Sequence, residues 1–96
     1  MIYLVYETDA WYSTESMELR GAFHSLHTAI NEVIVNNEFN YDKIAEERQI
    51  DKDNMTTDIF VGTIEGIIRD ELTQHRQTSF EQFNYIIDAV DEDHWI

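Results

Sequence analysis

Ninety-six residues carrying 20 acidic groups, six Lys/Arg and no cysteine leave room for one domain with one core. They exclude disulfides, thiolate zinc sites and cysteine nucleophiles. A formal charge of -14 excludes a phosphate-binding surface as the default and points to basic partners.

The chain is 43% apolar, with two tryptophans, five tyrosines and five phenylalanines. These residues fall in periodic blocks, which supplies enough burial to offset chain entropy and predicts a folded protein. The start, "MIYLVYETD", lacks a positive leader region, and no apolar run reaches the ~18 residues of a membrane span. The expected compartment is the cytoplasm.

Residues 2–7, "IYLVYE", and 17–23, "MELRGAF", are β-branched, aromatic or alternating, and predict a β-hairpin. Its connection, residues 8–16, is far longer than a simple reversal requires, and loops of this length more often carry function. Trp11 and Tyr12 stand at its tip among Glu7, Asp9, Glu15 and Glu18. Ser25 can cap a helix over 25–36, in which Leu26, Ala29, Ile30, Val33 and Ile34 recur at helical spacing before "NNEFN" stops it. Asn40 then precedes "YDKIAEERQI", a short polar helix whose narrow apolar stripe predicts a peripheral position.

Thr57 and Asp58 are cap candidates for a third helix over 57–75, where Phe60, Ile64, Ile67, Ile68 and Leu72 share a face. A strand over 59–64 is the competing reading. Gly62 and Gly66 weaken this helix, but their spacing of four would also let another backbone approach closely. Ser79 and Gln82 match a capping box and predict one helical turn before a strand over 84–90 in "NYIIDAV". The order is then β-β-α-α-α-β. It packs best as an α+β domain, a three-stranded antiparallel sheet with helices on one face.

Candidate chemistry is sparse. His24 and His27, with Glu7 or a neighbouring carboxylate, have a spacing open to a divalent metal, yet four histidines among 20 acids produce such spacings by chance. The same density makes carboxylate pairs inevitable. No Gly-rich phosphate loop, nucleophile elbow or HExxH is present, so the expectation is a non-enzymatic protein without metal or cofactor.

Trp11 and Tyr12 either fold back to cover the sheet or serve as interface anchors, because such rings bring large contact area at low entropic cost. The purest acidic patches, lacking any Lys or Arg, are the hairpin loop 7–18 and residues 77–96. Candidate partner-binding residues are therefore Glu7, Asp9, Trp11, Tyr12, Glu15 and Glu18 from the first, with Asp88, Asp91, Glu92, Asp93 and Trp95 from the second. Spread evenly over the roughly 5,800 Å² of a fold this size, fourteen charges give about one per 400 Å², against about one per 100 Å² on B-DNA. Imitation of a nucleic acid therefore requires the two patches to merge, which strand three beside the hairpin would permit.

The opening "IYLVYETD", then "LRGAFHSLHTAI" with its G-x-F-x-S step into a helix, and later "NYIIDAV", resemble small uncharacterised phage and bacterial proteins built on a β-β-α scaffold. Size, charge and lack of cysteine resemble phage-encoded inhibitors of host defence, of the anti-CRISPR and DNA-mimic type. The resemblance implies a viral or prophage protein that occupies a basic nucleic-acid channel of a Cas nuclease, restriction enzyme or other defence protein. It carries over no individual residue. The alternative is a homo-oligomeric adaptor domain in which the aromatic tip and the "HWI" terminus pack against another copy.

Overall fold

The computed structural model describes residues 1–36 and 38–91. Strand β1 (Ile2–Asp9) lies between β2 (Glu18–Phe23) and β3 (Phe83–Val90), antiparallel to both. Helices α1 (Leu26–Asn36), α2 (Tyr41–Arg48) and α3 (Thr57–His75) complete a β-β-α-α-α-β α+β fold. Among the described residues no helix is long and apolar enough to cross a membrane.

Alternation along β1 and β3 sends Val5, Tyr85 and Ile87 into the core, where α1 meets them with Ala29, Ile30, Val33 and Ile34. Helix α3 adds Phe60, Ile64, Ile68 and Leu72, four residues apart and therefore along one slowly turning face. Residues 59–64 are thus helical. Local chemistry fixes the helix starts: Ser25 Oγ accepts the Thr28 N–H, Asn40 accepts those of Asp42 and Lys43, and Thr56 accepts that of Ile59. The α3 cap is one residue earlier than the sequence suggested.

Three expectations are corrected. Helix α2 is no peripheral element, since Ile44 is fully buried and Ala45 nearly so; a stripe two residues wide is enough when it is pressed onto α3. The glycines of α3 admit no neighbouring backbone, for a Cβ at Gly62 or Gly66 would meet nothing within 4 Å. Residues 79–82 form no helical turn. Buried Asn84 organises them instead, accepting from Phe80 N–H at 2.7 Å and Thr78 Oγ1 at 2.8 Å while donating to the Phe80 carbonyl at 3.0 Å. Gln82, freed from a capping role, clamps the main chain of Asn40 through both its amide atoms.

Phe39, in the segment that stops α1, is buried and stacks on Phe83 at 4.5 Å while meeting Phe80 and Tyr85 edge-on. This aromatic cluster ties the α1–α2 link to the start of β3. Beyond α3, which ends on left-handed Arg76, the chain lies along the outer edge of β3. There Thr78 N–H donates to the Tyr85 carbonyl and Ile87 N–H to the Arg76 carbonyl.

Candidate functional site

The β1–β2 connection is a built loop. Asp9 Oδ1 accepts the backbone N–H groups of Trp11 and Ser13 at 3.0 and 2.9 Å, the local bonding that suits aspartate to a turn. Ser16 Oγ donates to the Ser13 carbonyl at 2.8 Å and accepts from Asp9 N–H at 2.9 Å, closing a 3₁₀ turn over Thr14–Ser16 back onto the strand end. Asp9, expected as a charge for a partner, is therefore an internal acceptor.

The two rings at the tip take different roles. Tyr12 has a left-handed backbone, φ 58°, which costs a non-glycine residue about 1 kcal/mol. The bend sends its hydroxyl across to the carbonyl of Thr78, 66 residues away, to which it donates. Burial, and secondarily the charge of Glu71, raises the Tyr12 pKa. Trp11 is 83% exposed. With Ala10, Tyr12, Ser79, Phe80 and Glu81 it lines a shallow cleft of about 520 Å³. Such a ring leaves apolar surface in water where it stands and gains most when a partner covers it.

Around the tip the carboxylates divide. Glu15 is exposed in the 3₁₀ turn, and Glu81 reaches the cleft from the turn before β3. Glu81 was missed as a site residue because the sequence placed it inside a helical turn. Glu7 and Glu18 stand opposite each other on adjacent strands, a like-charge pairing that Arg20 relieves. Arg20 Nε donates to Glu7 Oε2 at 2.6 Å, and its terminal nitrogen lies 3.1 Å from Glu18. The hydrogen bond and charge of Glu7 raise the Arg20 pKa further. One cation thus reduces the negative charge of the hairpin patch.

Among the described acids of residues 77–96, Glu81 reaches the tip while Asp88 and Asp91 stay away from it. Strand β3 does pair beside the hairpin, but its register sets Asp9 against Phe83 and Ile2 against Val90. Asp91 therefore follows at the end of the sheet far from the tip. Asp88 lies opposite Leu4, on the face away from Glu7 and the helices. Glu92, Asp93 and Trp95 lie outside the described residues. Over the whole surface of 6416 Å² the fourteen net charges average roughly one per 460 Å², far below the density of a duplex.

Between β2 and α1 a second cavity, about 240 Å³, has Val5, Phe23 and Val33 as its floor and Glu7, Arg20 and Tyr85 in its wall. Desolvation, then Glu7, pushes the Tyr85 phenol up to about 12, so it stays protonated. The displaced groups among the described residues, Tyr12, Tyr85 and Arg20, all move away from neutrality, the wrong direction for proton transfer near pH 7. His24 and His27 are exposed, and the His27 ring bonds Asn31 at 3.0 Å. No three His, Asp or Glu among the described residues converge on a metal position.

No protein-family model, curated protein or solved structure matches this chain.

Proposed function

We propose that this chain is a non-enzymatic inhibitor that binds a basic protein and covers the surface with which that protein holds nucleic acid, as anti-CRISPR and anti-restriction proteins do. The observation that carries the reading is Trp11: a largely exposed indole on a braced tip, in a chain of net charge -14. Trp11 supplies the desolvated contact, and Glu15, Glu81 and the partly neutralised Glu7–Glu18 pair supply the anionic frame for lysines and arginines. Binding by a local contact of this kind needs no duplex-like charge density. Asp88 and Asp91 take no part in the same contact, since the register removes them from the tip.

The test is capture from a bacterial lysate on the immobilised protein at low salt, read by mass spectrometry. A nucleic-acid-binding protein retained by the native chain and lost with Trp11→Ala is the expected result. Equal recovery on both columns refutes the reading.

The oligomeric adaptor is favoured by one observation, the exposure of Leu19 beside Tyr6 on the sheet. Salt separates the two readings. Apolar self-association holds or strengthens as salt rises, while recognition of a basic partner weakens.

A further inference from the structure

The helices cover one side of the sheet only. On the other side Leu19, Tyr6 and Ile86 form an apolar row straight across the three strands, and Leu4 with the Ile2–Val90 pair extends it toward the far end. None of these six side chains belongs to the buried core or to the residues packed against it, and Leu19 is 57% exposed. The strands place one charge here, Asp88, and no lysine or arginine. Arg20, the one base of β2, is the extra residue of the bulge between the Val5 and Tyr6 pairings and sits on the Glu7 side.

Both edges of the sheet resist strand addition. The outer edge of β3 is bonded to residues 76–78. β2 carries the bulge and the charged Glu18 and Arg20, devices that blunt an edge. A partner must therefore take the face. At the tip end Thr8 and Asn84, which share this face, are buried, so its open part runs from the Ile2–Val90 pair to the Tyr6–Ile86 pair. Five residues at ~3.3 Å and three strands at ~4.8 Å make it roughly 17 by 14 Å, or about 240 Å². An isologous dimer needs about 800 Å² per copy, about three times what is present, and would bring together two bodies of charge -14. One α-helix of about three turns, about 16 Å long and 10–12 Å wide, matches the footprint and is the element that ordinarily closes a sheet face.

We propose that this face docks an amphipathic helix of a partner protein, apolar along one stripe and basic on its flanks. The stripe runs along the strands from the Leu19–Tyr6–Ile86 row over Leu4 to the Ile2–Val90 pair, and the basic flanks meet Asp88 and the anionic field of the body. The inference shares with the reading above only the basic chemistry of the partner and does not depend on Trp11.

The probe is a synthetic Leu/Lys peptide of about 18 residues with leucines at helical spacing, compared with a scrambled peptide of identical composition, at about 150 mM salt. Binding is followed by amide chemical shifts of the full chain. The expected result is saturable binding at least about tenfold tighter than the scrambled peptide, about the value of one or two buried side chains. Its shifts should be confined to the strands and weakened about fivefold or more by Leu19→Lys or Leu19→Ala, but unchanged by Trp11→Ala. Equal binding of the scrambled peptide overturns the proposal, as do shifts centred on the tip. Self-association through Leu19 in the free protein, or contacts from Trp95 to Leu4 and Tyr6, overturns it too by identifying another occupant.

Discussion

Replacing Gly62 and Gly66 by alanine tests the account of α3 directly. Both sit inside a 19-residue helix, neither has a positive φ, and an added methyl meets nothing within 4 Å at either site. The native conformation is therefore open to alanine without strain, and the change acts on the unfolded chain, which has less freedom to lose. Each substitution is worth up to about 1 kcal/mol on helix-propensity scales. For 96 residues, an unfolding entropy of roughly 0.2 kcal/mol/K converts 1 kcal/mol into about 5 °C. The expected result by calorimetry is a Tm rise of about 3–5 °C for each variant and nearly the sum for the pair. A fall in Tm for either would mean that another backbone lies against this face after all, and would refute the reasoning.

Asn84→Ala removes three hydrogen bonds from the turn before β3 and leaves the Phe80 N–H buried and unpaired, so denaturant unfolding should show a loss of about 2–4 kcal/mol. Tyr12→Phe deletes the bond to the Thr78 carbonyl and should cost about 1 kcal/mol, whereas Trp11→Ala should leave stability within about 0.5 kcal/mol because the ring touches so little. Tyr85 gives a pH signature. Its folded pKa of about 12 lies above the ordinary tyrosine value of 10.0, so the unfolded state releases its proton first. Stability is then complete below pH 10 and falls as pH rises toward 12. Tyr85→Phe should flatten that limb in chemical denaturation, and an unchanged slope would contradict the burial of the phenol.

The long periodic elements were legible because their signal is local. The four-residue repeat from Phe60 to Leu72 and the β-branched run of "NYIIDAV" specify a helix and a strand wherever they pack. The core positions that escaped are those decided by tertiary contact. Phe39 stands alone in a polar stop segment and becomes buried only because Phe80, Phe83 and Tyr85 gather around it. Ile44 lies on a helix too short and polar to look internal.

At the tip, Trp11 and Tyr12 are adjacent residues of similar chemistry. What separates them is a left-handed backbone at residue 12 and an acceptor 66 positions away, neither of which leaves a local pattern. The acidic patches show the same limit. Their composition is plain in the sequence, but whether Asp88 shares a face with Glu7 depends on a register that carries no local mark.

The central claim is that an exposed indole in an anionic frame recognises a basic, nucleic-acid-holding surface. Its most direct measurement is the affinity for the captured partner, determined by calorimetry at rising salt and again in the presence of duplex DNA. The account predicts that affinity falls about tenfold or more between about 50 and 200 mM salt, and that DNA and this protein exclude each other from the partner. Affinity that is indifferent to salt, or a ternary complex containing DNA, would contradict it.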